Sequence, residues 1–262
     1  MHLPLSGVQP PAWTVFGTIL AADFLRYAIP AALAWGLLWV AFRGWAPGRR
    51  LGPQAPTAAQ RRREILYSLS TVAIFALNGF GIHALAVAGV LEIYPEIASR
   101  GWAYWWASLA GLVLAHDAYF YGVHRLLHRP WWFARVHAWH HRSVHPSPWA
   151  AYAFHPAEAG LMAAFLPLAL AAAPLHPGAI FAFLAHMIVR NVLGHCGVAL
   201  TPRNALGRWY ARHFTTTLHH HLHHSSGGGN FGLYFAWLDR WLGTELGAYR
   251  ERMAGFFAGA RA

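Results

Sequence analysis

HRLLHRPWWFARVHAWHH, His124 to His141, carries five histidines in 18 residues, spaced as His124-x-x-x-His128 and His137-x-x-His140-His141. On a helix, positions i, i+3 and i+4 share a face, so each group can aim its imidazoles at a single point. Neutral imidazole is the commonest metal ligand and suits iron, zinc and copper. The stretch LHHHLHH, Leu218 to His224, repeats the spacing as His220-x-x-His223-His224 about 80 residues later. With His195, the candidate ligands are His124, His128, His137, His140, His141, His195, His220, His223 and His224.

The rest of the chain is poor in charge. Of its 262 residues, 56% are hydrophobic and 11% charged, against about 25% charged in an average soluble protein. That balance predicts an all-α integral membrane protein. Twenty arginines, no lysine and nine acids give a net charge of +11. The arginines alternate with apolar runs instead of forming one patch, which favours membrane topology over nucleic-acid binding. A single cysteine, Cys196, excludes an intramolecular disulfide and a cysteine-based zinc module. MHLPLSGVQPP at the N-terminus lacks the basic n-region of a cleavable signal peptide.

The expected organisation is a single domain with about four membrane-embedded helices or hairpins under a histidine-rich helical cap. Transmembrane helices fall within 13–123, and 66–91 is the clearest because it has no formally charged side chain in 26 positions. A Pro/Gly-rich connector from Pro47 to Pro56 separates the first run from Arg61, Arg62 and Arg63. Residues 124–156 hold the first two boxes, and 157–198 form a helical hairpin turning at Ala173 to Gly178. Ala159 to Ala173 rises only about 22 Å as a helix, so the hairpin is expected to reach partway across a core about 30 Å thick. Residues 199–262 make the cap. Placing Arg43 to Arg63 in the cytoplasm and counting crossings puts every basic segment and all three boxes on that face.

Eight or nine imidazoles are too many for one ion, which takes about three or four, and suit two. Carboxylate is scarce beside the boxes, which argues against magnesium or calcium and against a carboxylate-bridged bundle site. No H-E-x-x-H occurs. What remains is a histidine-only dinuclear site at the membrane face, suited to O2 activation on a lipid. Asp117 is read as a carboxylate holding an imidazole N–H. Asn191 is either a donor behind the ligands or a packing amide. His155 is a further ligand, a substrate-side group or part of a turn. His219 and His221 are read as flanking the third box, and His2, His83, His145, His176, His186 and His213 as structural. His186 and Arg190, inside an apolar run, ask for partners.

The ordered set of boxes resembles the sterol desaturase/fatty acid hydroxylase superfamily, from about Arg61 to Thr244. It is carried by DAYFYGVHRLLH (Asp117 to His128), RVHAWHH (Arg135 to His141), AFHPAE (Ala153 to Glu158), NVLGHCG (Asn191 to Gly197), HHHLHH (His219 to His224), NFG (Asn230 to Gly232) and DRWLGT (Asp239 to Thr244). FHP after the second box and the double histidine opening the third are similar to the lathosterol oxidase (sterol C5-desaturase) type. In one departure, the family often has Trp directly before the Asp-Arg pair, where this chain has Leu238 with Trp237 one place earlier.

The resemblance implies two Fe ions on the box histidines, with O2 and two electrons consumed per turnover and a lipid C–H bond hydroxylated or desaturated. Zinc is expected to substitute in a purified sample. A sterol is the first substrate class implied, with fatty-acyl, alkyl-lipid and carotenoid hydroxylation as the alternative. No haem or flavin motif is present, so a separate ferredoxin- or cytochrome-type electron donor is implied. A membrane metal carrier and a metal-stabilised lipid-binding protein are the non-enzymatic alternatives.

Overall fold

A computed structural model describes residues 10–44 and 48–260. Most of the N-terminal stretch read for a signal peptide, and the start of the Pro47 connector, lie outside them. The described residues are helical, with three isolated bridges (Arg50 with Val198, Ile93 with Leu175, Phe214 with Phe235) and no named strand.

Three long helices enter first. α1, Ala12–Trp35, tolerates Pro30 and runs on through a π-helical turn, Gly36–Ala41. α2, Ala58–Val87, opens where the Thr57 hydroxyl accepts the Gln60 N–H, satisfying one orphan donor of the first turn. α3, Gly101–Leu127, ends in the first box. Pro130 then starts a short turn, α4 Pro130–Trp132, followed by a π turn Phe133–His137 and α5 Ala138–His141. The π turn shifts the register of the second box relative to a plain α-helix, a common device at functional sites.

The hairpin consists of α6 Pro156–Ala163, α7 Phe165–Ala172 and α8 Pro177–His195. α8 starts on Pro177, with the His176 ring accepting the Gly178 N–H at 2.9 Å. The hairpin differs from the expectation that it reaches only partway across. Ala12–Ala41, Ala58–Val87 and Pro177–His195 are all long and apolar enough to cross a membrane, while Pro156–Ala172 is a shorter apolar piece. The returning arm is thus of full spanning length. After it come α9 Ala205–His213, α10 Thr217–Ser226, α11 Trp237–Trp241 and α12 Gly247–Phe257.

Exposed Leu77, Val87 and Phe181 make the long helices apolar on the outside. Such a surface is a liability in water and is what lipid chains solvate. Inside, α1 packs on α2 and α8, and α3 on α8, around Tyr27, Phe120, Tyr152, Ile188, Val192 and Tyr234. The loop 142–155 is drawn into this core. Its Trp149 carbonyl accepts from Tyr27 Oη and Ser68 Oγ, and its Ala151 carbonyl from Asn191 Nδ2. A separate apolar cluster of Leu218, Leu222, Tyr249, Met253 and Phe256 seats α10 on α12. The three boxes are thereby pressed together from α3, α5 and α10, with the end of α8 beside them.

Candidate metal centre

All nine candidate ligands come together, in two groups. His124, His128, His137, His141 and His223 form one, and His140, His195, His220 and His224 the other. Within each group the ligand atoms lie within 4.8 Å of one another. The expectation that each box points at one spot is corrected here. The i, i+4 pairs His124/His128, His137/His141 and His220/His224 each stay within one group, but His140 and His223, at i+3, cross to the other. Each adjacent pair of histidines therefore straddles the two groups. Residues i and i+4 lie nearly one above the other, whereas adjacent residues diverge by about 100° around the axis.

Backbone carbonyls fix the ring tautomers. His124 Nδ1–H donates to Phe231 O (2.9 Å), His195 Nδ1–H to Asn191 O (2.8 Å) and His223 Nδ1–H to Gly229 O (2.8 Å). His137 Nδ1–H donates to Glu158 Oε1 at 2.9 Å. With Nδ1 protonated, each Nε2 carries only a lone pair. The other rings bring their Nε2 atoms to the same points. Nε2 to Nε2 separations are 3.2 Å for His128–His223, 3.1 Å for His141–His223, 3.2 Å for His140–His195 and 2.9 Å for His195–His220. His137 Nε2 is buried with no hydrogen-bond partner among the described residues.

This arrangement fits a cation. Left alone, converging buried acceptors cost about 1–3 kcal/mol each in lost solvation. With metal–nitrogen bonds of about 2.0–2.1 Å, ligands at right angles sit about 2.9–3.0 Å apart and tetrahedral ones about 3.4 Å. The observed separations fall between. No carboxylate or thiolate enters either group, so the donor set suits iron, zinc or copper and not magnesium or calcium.

Burial holds the rings neutral. Seven of the nine are buried, and His128 and His141 are half-buried. For His140, His220, His223 and His224, burial first and then neighbouring imidazoles push the pKa well below the usual histidine value. For His141 the same causes lower it to about 3. A folded-state pKa below the unfolded value of about 6.5 means that the unfolded chain binds more protons between those limits. The metal-free protein is therefore most stable above about pH 6.5 and loses stability as the pH falls toward 3. Thermal midpoints of the stripped protein between pH 8 and pH 4 check this, and a midpoint independent of pH contradicts it.

Two acids behind the rings were missed by the sequence reading, which found carboxylate scarce there. Glu158, 1% exposed on α6, is the partner of His137. Asp239, fully buried on α11, accepts from the N–H groups of Phe231 and Gly232 at 2.8 Å and from Thr244 Oγ1 at 2.7 Å, with His219 Nε2 at 3.4 Å. A usable signal existed. With nine acids in the chain, an acid in an apolar run needs a partner, and Glu158 and Asp239 sit in the quoted AFHPAE and DRWLGT stretches. Replacing Glu158 with leucine strands the His137 Nδ1–H, and metal affinity is expected to fall about 10–100-fold. Glutamine, which keeps an acceptor, recovers most of it. Metal content after dialysis against graded chelator measures both.

Asp117 does not hold an imidazole. Its Oδ1 accepts the Tyr234 N–H at 2.8 Å, and its Oδ2 accepts Trp237 Nε1–H at 3.2 Å. It therefore braces the loop after the NFG stretch, and Trp237, the displaced tryptophan, is one of its partners. Asn191 contributes twice, through the carbonyl that orients His195 and the side-chain amide that holds Ala151 O. His155 is outside both groups: its ring caps α6 at Ala157 N and packs on Trp139. The backbone blocks a ligand role by tying up its Nδ1 at a helix start. His221 stacks on His145, and His219 faces Asp239. His186 packs on Tyr234, and Arg190 binds Thr215 and the Tyr234 carbonyl.

The glycine run is tight where it matters. Gly227 ends α10 at φ +67°, the left-handed cap that glycine adopts freely. A Cβ on Gly229 would lie 2.3 Å from the Thr244 carbonyl. Gly229→Ala must displace the carbonyl that holds His223, so about a 10–100-fold loss of metal affinity is expected. The same dialysis assay measures it, and wild-type retention contradicts the assignment.

An apolar cavity of about 370 Å³ lies one layer of side chains away from the two groups. Phe120 and Phe154 in its wall pack on His124 (5.0 Å between ring centroids) and His140 (5.2 Å). Phe181, 69% exposed, also lines it and marks where it meets the apolar outer surface.

Comparison with known proteins agrees with this geometry. The chain is 29% identical over 186 residues to the Delta(7)-sterol 5(6)-desaturase ERG3B of Gibberella zeae, covering 71% of this chain and 56% of the relative. It is 28% identical over 206 residues to the Delta(7)-sterol 5(6)-desaturase erg3C of Aspergillus fumigatus, covering 71% and 63%. The lathosterol oxidase of Mus musculus matches at 28% over 101 residues, covering 38% and 34%. The chain thus spans about three-fifths of the length of the first two relatives. No solved structure matches it. The fatty acid hydroxylase family model matches residues 109–244, which hold every histidine of both groups, and the chain therefore belongs to that family.

Proposed function

We propose that the chain is an O2-dependent membrane oxidoreductase whose histidine-ligated diiron centre hydroxylates or desaturates a lipid. The observation that carries this reading is the pair of all-imidazole groups, with an apolar cavity beyond Phe120 and Phe154. The names of the relatives, sterol desaturases and a lathosterol oxidase, support a sterol as the first lipid to test. Two irons bound there supply the O2 chemistry and one-electron steps that no side chain provides.

The chain's own residues do the rest. Phe231, Asn191 and Gly229 carbonyls and the Glu158 carboxylate hold the rings with Nε2 turned inward. Burial keeps them neutral, the state that binds metal. Phe120 and Phe154 bring the apolar wall to the rings, so a lipid carbon can approach while water is kept out. Electrons come from a separate ferredoxin- or cytochrome-type donor. The excess of arginine in the short segments beside the boxes supports a cytoplasmic centre.

Lipid profiling under 18O2 of a host lacking the gene, beside the complemented host, tests the reading. Label in a new hydroxyl indicates hydroxylation, and an unlabelled new double bond indicates desaturation. Identical lipids in the two hosts contradict the proposal and favour a metal-stabilised lipid-binding protein.

A further inference from the structure

Asp23 and Arg26 sit inside α1, a helix long and apolar enough to span a membrane, where charged side chains are costly and functional as a rule. They pair at 2.5 Å, with side chains 13% and 10% exposed respectively, and both line the 370 Å³ cavity. The pair leaves a donor unused. Arg26 Nη1 is buried without a hydrogen-bond partner among the described residues. In the wall of the same cavity, Tyr152 is 1% exposed and its hydroxyl also lacks a partner among the described residues. The other polar groups of this wall differ. Asn78 donates to Ala163 O, His116 meets the Tyr234 hydroxyl, and Asn191 holds Ala151 O. Two buried, unused polar atoms thus belong to residues of one mostly apolar wall, beside a carboxylate, with His83 in the same wall.

Buried donors are satisfied in nearly all proteins, so unsatisfied ones lining a cavity point to a ligand. We propose that Arg26, Tyr152 and Asp23 form a polar subsite that anchors the neutral end of an alcohol-bearing lipid in this cavity. The inference rests on the reading of the cavity as the substrate site. Charge selects the class of group. Arg26 is already neutralised by Asp23, so a carboxylate or phosphate would bring an uncompensated negative charge into an apolar space. A hydroxyl accepts from Arg26 Nη1–H and donates or accepts at Tyr152 Oη with no change in charge. A pure hydrocarbon would leave both atoms unpaired.

The test uses the full chain in nanodiscs, with tritiated cholestanol as the probe and cholestane, octadecanol and stearate as competitors. Cholestanol or octadecanol is expected to bind at least about tenfold more tightly than cholestane, the scale of one or two buried hydrogen bonds. Which of the two competes tells whether the alcohol is a sterol or a linear chain. Tyr152→Phe should weaken alcohol binding about fivefold and leave cholestane unchanged. Asp23→Asn uncovers the guanidinium and should raise stearate affinity, a gain that a misfolded variant cannot produce. Equal binding of the alcohols and cholestane to the wild type overturns the proposal. So does an unaltered preference in both variants. Binding needs neither iron nor turnover, so His140→Ala should keep the alcohol preference. A wild type that binds alcohols but oxidises no lipid would refute the enzymatic reading and leave the subsite standing.

Discussion

His140→Ala and His223→Ala are each expected to abolish O2-dependent lipid oxidation, a loss of at least about 1,000-fold, while the protein still inserts in the membrane. These are the two histidines that cross between groups. His140 leaves the second box to join His195, His220 and His224, and His223 leaves the third to join His124, His128, His137 and His141. Removing either takes one donor from one group and leaves the other intact. The variants should therefore lose metal selectively, His140→Ala from the four-histidine group and His223→Ala from the five-histidine group. Insertion depends on the apolar exteriors of α1, α2 and α8, which neither residue touches. Product formation in proteoliposomes, read beside membrane fractionation, measures both halves. Wild-type turnover in either variant removes the assignment of the centre.

Asp239→Ala is expected to be nearly as severe without touching the metal. The carboxylate takes the buried Phe231 and Gly232 N–H groups and the half-buried Thr244 hydroxyl. Burial pushes its pKa up, but the His219, Thr244 and Gly232 donors outweigh that and hold it below the ordinary aspartate value. Losing it strands the two buried backbone donors at about 1–3 kcal/mol each. The loop it secures carries the Phe231 carbonyl on His124 and the Gly229 carbonyl on His223. Stability and metal content should fall together, by several kcal/mol and by about 10–100-fold respectively. Asp239→Asn, which keeps one acceptor, should fall between. Thermal unfolding and metal analysis of the purified variants decide the matter; wild-type values for the alanine variant contradict this role.

These two predictions show which parts of the site were legible in the sequence. Helical spacing marked eight of the nine histidines, because imidazoles at i, i+3 and i+4 have few other uses at a charge-poor membrane face, and His195 was added as a ninth without such a spacing. Long apolar runs marked the long helices, because a bilayer tolerates little else, and of these only 66–91 and 159–189 were free of charge. The sorting of rings into two groups was not legible. It depends on how α5 and α10 are set against α3, which only packing decides. The bracing was hidden for a related reason. Asp239 serves rings on α3 and α10 through backbone groups of the intervening loop, and Asp117 serves backbone at 234 and 235, 117 and 118 residues away. A partner reached through backbone amides leaves no residue type to read. Asp117 looked like an imidazole partner because it precedes the first box by two helical turns, but Tyr234 and Trp237 fill its acceptors.

The central claim is that two irons sit on nitrogen ligands alone. Anaerobic reconstitution of the purified protein with ferrous iron, followed by metal analysis and X-ray absorption at the iron edge, tests it directly. Two irons per chain with an all-nitrogen or nitrogen-and-water shell is the predicted result, falling to about one in His140→Ala. A single iron in the wild type, or two retained in that variant, would contradict it.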